Sequence, residues 1–187
     1  MTSRRLHRAA VVEAAAQLVD TDGWRSLTMT EVARKLGVQG PTLYGHVDSI
    51  EALLGAVQIA AHGQLAQDLQ RAAVGRVGAE ALRAMARALR SFAREHPGLY
   101  ELATSELIDR PGVHAAAEPS SAALAAVIGS FGVESTLELQ VNCLATLHGV
   151  LALDRARFFG EGLDVDHAYE RAIDMVVRRL EDEGSAR

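Results

Sequence analysis

Apolar residues recur along this chain at intervals of three and four and stop at glycine or proline, the pattern of amphipathic helices. No alternating run suggests a strand, and no internal repeat or low-complexity tract occurs. Val11, Ala15, Leu18 and Val19 predict a first helix from about Leu6 to Val19, stopped by Gly23. Val32, Ala33 and Leu36 predict a second, and a short third is expected from Pro41 to His46. Leu53, Leu54, Val57, Ala61 and Leu65 continue a fourth to about Leu69, with Asp48 and Glu51 as a box-like cap. The run Gly75-Arg76-Val77-Gly78 reads as a loop. A helix from about Ala79 to Glu95 follows, with Leu82, Met85, Leu89 and Phe92 inward and Arg83, Arg87, Arg90 and Arg94 on a solvated face. His96-Pro97-Gly98 stops it, and a short helix begins at Leu99. A break is expected at Arg110-Pro111-Gly112, and a new helix at Glu118-Pro119-Ser120. The segment from Thr136 to Phe159 is apolar on two faces, Leu137, Val141, Leu144 and Leu151 on one and Leu139, Cys143, Leu147 and Val150 on the other. A last stripe runs Ala168, Ala172, Ile173, Val176, Val177, Leu180. The expectation is an all-α chain of about nine helices.

The stretch from Thr28 to His46 organises the rest. Thr28 and Glu31 form a T-x-x-E capping box, and Gly37 can turn left-handed to end that helix. Gly40-Pro41 then opens a helix that is expected to bury Leu43 and one face of Tyr44 and to leave Gln39, Thr42, Gly45 and His46 outward. Such a polar helix is ill suited to packing alone. Two helices joined by a short glycine-containing turn match the DNA-binding helix-turn-helix, whose second helix enters the major groove.

The residues Leu36-Gly37-Val38, Pro41-Thr42-Leu43-Tyr44 and His46-Val47, followed by Glu51-Ala52-Leu53-Leu54, resemble the signature of TetR/AcrR-family transcriptional regulators. "HPGLYELA", residues 96–103, resembles a stretch common in the ligand-binding bodies of that family. The resemblance implies a DNA-binding head over residues 1–47 and a ligand-binding and dimerisation body over 48–187, with 48–70 as the linking helix. It also implies a homodimer that occupies a palindromic operator in double-stranded DNA and is released by a small effector. Two positions depart from the family pattern: Ile50 replaces a usual lysine, and Gly45 replaces a bulkier residue.

Composition narrows the alternatives. The chain has 187 residues, 49% hydrophobic and 4% aromatic, with a net charge of −5. Residues 1–50 carry Arg4, Arg5, Arg8, Arg25, Arg34 and Lys35 against five acids, so the head is slightly basic on an acidic body. The single Cys143 excludes an internal disulfide and suits a reducing cytoplasm. The longest uncharged runs are shorter than the roughly 18 residues of a membrane span. Seven scattered histidines and the absence of a nucleophile elbow or phosphate loop argue against an enzyme, and no cofactor or metal is implied.

Physical chemistry then assigns candidate roles. Thr28 and Thr30 stand at a helix N-terminus, where hydroxyls and free amides suit a phosphate. Gln39, Thr42 and the backbone of Gly40 and Pro41 stand at the entry of the recognition helix, where an amide pairs with adenine and a threonine methyl meets thymine. By resemblance, Tyr44 and His46 clamp phosphates. Arg4 and Arg5 reach the backbone or minor groove, or are a solvated terminus. The expected effector pocket, suited to an apolar molecule, is lined by Met85, Leu89, Phe92, Tyr100, Leu102, Asn142, Leu147 and Phe158. Leu144, Leu151, Ile173 and Val177 are expected at a dimer interface, because one chain cannot cover both faces of the 136–159 helix. The alternative is a helical ligand-binding or scaffolding protein that has lost DNA binding.

Overall fold

Short local signals set the helix boundaries. A computed structural model describes residues 6–158, 160–162 and 164–186. Among them are nine helices, two short 3₁₀ turns and no strand. The first helix, α1 (Arg8–Asp22), starts two residues later than its apolar stripe suggests, because the His7 ring accepts from the Ala10 amide and caps it. Gly23 ends it at φ 82°, a conformation that favours glycine. After a 3₁₀ turn at Trp24–Ser26 come α2 (Met29–Leu36) and α3 (Gly40–Leu43). The third helix is a single turn, shorter than expected, and Tyr44, Gly45 and His46 continue it only as turn.

The fourth helix, α4 (Ile50–Ala73), is capped by Ser49, whose hydroxyl accepts from the Ala52 amide at 3.1 Å, rather than by Asp48. Helix α5 spans Gly78–Glu95. Helix α6 (Pro97–Ala103) begins with proline at its first turn, where a missing N–H costs nothing. Helix α7 (Arg110–Gly129) corrects two expectations: Arg110-Pro111-Gly112 starts it, with the Asp109 carboxylate accepting from the Gly112 amide at 3.0 Å, and Pro119 lies inside it. A proline inside a helix removes one backbone hydrogen bond. Helix α8 (Leu137–Arg155) is capped by Thr136, whose hydroxyl accepts from the Leu139 amide, and α9 spans Val165–Ser185.

By contact the helices form two compact units. The first comprises Met1–Gln64 with Phe92–Ala117. Its core joins Val11, Ala15 and Val19 to Val32, Leu43, Leu53 and Val57, and Leu99 and Leu102 are buried there too. Gln58 is the one buried polar side chain among the described residues, and it fixes the α6–α7 connection. Its amide donates to the carbonyls of Leu102 (2.9 Å) and Glu106 (3.2 Å) and accepts from the Ile108 amide (3.0 Å). His62 lies beside the Ala103 carbonyl at 3.1 Å, and burial holds its pKa below the usual imidazole value.

The second unit comprises Leu65–Ser91 with Glu118–Arg187. Here α5 lies against α9 through a row of ion pairs. Arg87 forks onto Glu170 at 3.0 and 2.8 Å, Arg83 meets Asp174 at 2.5 Å, and Arg90 meets Asp166. The Tyr169 hydroxyl donates to the Ala86 carbonyl at 2.8 Å in the same seam. The arginine row expected to face solvent is thus paired with acids from α9 at these three positions.

Candidate nucleic-acid interface

The turn between α2 and α3 is specified almost atom by atom. The Thr28 hydroxyl accepts from the Glu31 amide at 3.2 Å, and the Glu31 carboxylate accepts from the Thr28 amide at 3.1 Å. The same hydroxyl donates to Glu31 at 2.8 Å. Thr28 is therefore committed to its cap, while its neighbour Thr30 is exposed on the first turn. At the other end Gly37 is left-handed at φ 67°, ψ 31°. The Val38 amide returns to the Ala33 carbonyl and the Gly37 amide to that of Arg34, closing the helix by a Schellman arrangement.

This closure aims α3 outward from the head's core. Leu43 is fully buried and anchors the helix; Val47, at 4% exposure, anchors the chain after it. Between and before these anchors the side chains of Gln39, Pro41 and Thr42 are exposed, and Tyr44 is 57% exposed. His46 and Gly40 are half-buried. The Gln39 side chain makes no cap bond to α3. The helix thus presents an amide, a threonine, a phenol and an imidazole from one rigid turn, the donor and acceptor types that read base edges and phosphates. A Cβ added at Gly45 would meet only the Thr42 carbonyl, at 3.5 Å, so a larger side chain has room there.

Charge around this turn is mixed. Arg8, Arg34 and Lys35 are exposed, whereas Arg25 stacks on Trp24 at 4.2 Å and pairs with Glu101. Arg4 and Arg5 lie outside the described residues. Ile50 is half-buried at the first position of α4, flanked by exposed Asp48 and Glu51. Bonding to its own backbone amide and then to Ser49 holds the Glu51 carboxyl below its usual range, so it is anionic at neutral pH.

The remaining expected site residues separate by unit. Phe92, Tyr100 and Leu102 are buried in the first unit, and Met85, Leu89 and Leu147 in the second. Asn142 and Phe158 are at the surface of this chain and do not contribute to its interior. Of the four dimer candidates only Leu144 is exposed. Leu151, Ile173 and Val177 are packed inside their own chain, where a partner cannot reach them, because α8 turns Leu139, Cys143, Leu147 and Leu151 onto α9. The exposed apolar residues of these two helices are Leu137, Val141, Leu144, Leu153 and Met175, and periodicity alone did not single out Leu153 or Met175. Among the described residues no cluster of His, Cys, Asp and Glu could hold a metal ion, and no helix is long and apolar enough to cross a membrane.

Comparison with known proteins finds two matching segments. A family model described as bacterial regulatory proteins, tetR family, matches residues 11–57, and one described as tetracyclin repressor-like, C-terminal domain, matches 82–176. The chain is 35% identical over 178 residues to an uncharacterised HTH-type transcriptional regulator of Mycobacterium tuberculosis, Rv0681, covering 93% of this chain and 80% of that protein. Over 55 residues it is 44% identical to the class D tetracycline repressor protein of Escherichia coli, covering 29% of this chain and 25% of that one. A solved structure from Rhodococcus sp. RHA1, of unknown function, superimposes with a TM-score of 0.78 at 22% identity, covering 97% of this chain and 100% of that chain. The regulator SCO7222, a TetR from Streptomyces coelicolor, superimposes with 0.69 at 22%, covering 96% and 98%. At such identities these likenesses show the fold.

Proposed function

The chain belongs to the TetR family of bacterial regulatory proteins and is a DNA-binding transcriptional regulator, and we propose that it is a repressor which occupies a palindromic operator as a homodimer. In this reading residues 1–47 form the DNA-binding head and 48–187 the ligand-binding and dimerisation body. It works on double-stranded DNA in the cytoplasm.

One observation carries the reading: α3 is anchored by buried Leu43 and offers Gln39, Thr42 and Tyr44 to the outside. A side chain kept at the surface on a rigid turn, with its neighbour locked in the core, contributes to recognition more than to stability. Gln39 and Thr42 read bases, whereas Thr30, Tyr44 and His46 touch the phosphate backbone and set register. Thr28 acts through its cap, holding α2 in place. The two recognition helices of a dimer must lie about 34–36 Å apart, or a multiple of that, to enter successive turns of one DNA face. A small apolar molecule bound in the body releases DNA by favouring a conformation in which that spacing is lost.

Selection of bound sequences from random duplex DNA tests the proposal. The expected result is an enriched inverted repeat, and Gln39→Ala and Thr42→Ala each relax discrimination at particular base pairs by about 1–3 kcal/mol without lowering thermal stability. Absence of any enriched sequence would instead favour the scaffolding alternative, which the carboxylates beside Ile50 support.

A further inference from the structure

Asp20, near the end of α1, caps a helix far from it in sequence. One carboxylate oxygen, Oδ1, accepts from the amides of Gly98 (3.2 Å) and Leu99 (3.4 Å), the first N–H groups of α6. The other, Oδ2, lies 2.7 Å from Nδ1 of His96. Helix α6 has no cap of its own: the His96 side chain makes no cap bond, and Pro97 carries no N–H. On its far side the His96 ring meets Gln64 of α4, Nε2 to Nε2, at 3.2 Å. A neutral imidazole with its proton on Nδ1 satisfies both contacts, donating to Asp20 and accepting from Gln64. Asp20 and His96 are both largely shielded from solvent. The approach is closed by Gly98, where an added Cβ would lie 2.0 Å from the Val19 carbonyl oxygen. Backbone thus meets backbone, with no space for a side chain. Glu101, one turn further along α6, pairs with Arg25 just beyond α1.

Three elements therefore converge on one carboxylate and one imidazole. We propose that Asp20 is a positioning residue for DNA binding: by capping α6 from α1 it fixes the head's first helix to α6 and, through His96, to α4. The proposal rests on the DNA-binding reading above. Its physical content is that Asp20 makes no contact with DNA, yet determines whether two heads can engage two half-sites at once. A head that has lost this tie still docks on a half-site by itself. It loses the fixed attitude that lets a dimer hold both half-sites, and that fixed attitude is where the second half-site's affinity arises.

The test compares two duplexes, the selected inverted repeat and a single half-site flanked by random sequence, with wild-type full-length protein and with Asp20→Ala and Gly98→Ala. The first variant removes the cap, and the second wedges α1 and α6 apart sterically. Both are expected to lower the preference for the repeat over the half-site by about fivefold or more while half-site affinity is retained. Fluorescence of the chain's single tryptophan, Trp24, which lies beside the junction under Arg25, is expected to shift in both variants. A role confined to stability would lower both affinities together and leave their ratio unchanged, and that result would overturn the proposal. Should Asp20→Ala unfold, Asp20→Asn decides, because it keeps an acceptor for the two amides and loses only the carboxylate toward His96; its expected ratio is intermediate, and an unaltered ratio overturns the proposal equally. If the wild-type protein itself fails to prefer a repeat, the functional reading fails instead, and the Trp24 shift alone then reports whether the junction exists.

Discussion

Leu43 and Tyr44 are chain neighbours, yet one is fully buried and the other is more than half exposed. A few residues on, Ile50 is set between two exposed carboxylates at the start of α4. Phosphates passing this point would meet Asp48 and an anionic Glu51 with no cation between them. Ile50→Lys is expected to strengthen binding to every sequence alike, because phosphate contacts carry no base information. Two added contacts per dimer should steepen the slope of log affinity against log salt by about two. Titration at several salt concentrations measures this, and a lowered melting temperature with an unaltered slope would mean that the half-buried isoleucine is a packing residue. At this scale much was legible from sequence. The Thr28–Glu31 box and Gly37 are local devices, and each acts within a few residues of itself. Asp20 as the cap of α6 was not legible, since its partners at 96–99 are brought to it only by the fold.

Among elements, the same distinction separates what periodicity finds from what it cannot. It located the buried stripes of α5 and α9 but could not say that the arginines of one face the acids of the other. Residues 83, 87 and 90 ascend as 174, 170 and 166 descend, as two antiparallel helices require. Helix α7 misled in the opposite way: Pro111 read as a break and Pro119 as the start of a new helix, whereas the first starts the helix and the second is carried within it. The α5–α9 seam has a pH signature. Hydrogen bonds from Arg87 and Arg83, respectively, hold the carboxyls of Glu170 and Asp174 below their ordinary values. Acids depressed in the folded state add stability above their unfolded pKa, about 4, and that contribution is lost as pH falls through the folded values. The melting temperature is therefore expected to drop as pH falls below the ordinary carboxylate range, and less steeply in Glu170→Gln/Asp174→Asn. Parallel acid titrations of thermal unfolding check this. Equal slopes in the two proteins would show that these ion pairs add nothing measurable.

For the whole molecule the question is what covers α8. Its inner face, Leu139, Cys143, Leu147 and Leu151, is satisfied within the chain. Its outer face is not: Leu137 is 74% exposed, Val141 52% and Leu144 37%, at positions i, i+4 and i+7 of one helical side. Met175 on α9 is also exposed, at 66%. A contiguous apolar stripe on a monomer's surface marks an interface. In the proposed homodimer the same stripe on a second copy would cover it by two-fold symmetry, pairing α8 and α9 with their mates as a four-helix bundle. The two-sided pattern of the 136–159 segment pointed to this covering, but it assigned Leu151 to the wrong side and took Ile173 and Val177 for contact residues. That placement determines which substitutions are informative. Val177→Glu would put a charge into the chain's own core and unfold it, whichever assembly forms. Val141→Arg places its charge on the outer face instead, where a monomer tolerates it and a dimer does not. Sedimentation at micromolar concentration is expected to show a dimer for the parent chain and a folded monomer for Val141→Arg, with helix content by circular dichroism unchanged. The monomer should keep its half-site affinity and lose the added affinity for the inverted repeat, since each head then binds alone. A parent chain that sediments as a compact monomer would remove the dimer, and with it the operator geometry proposed for this regulator.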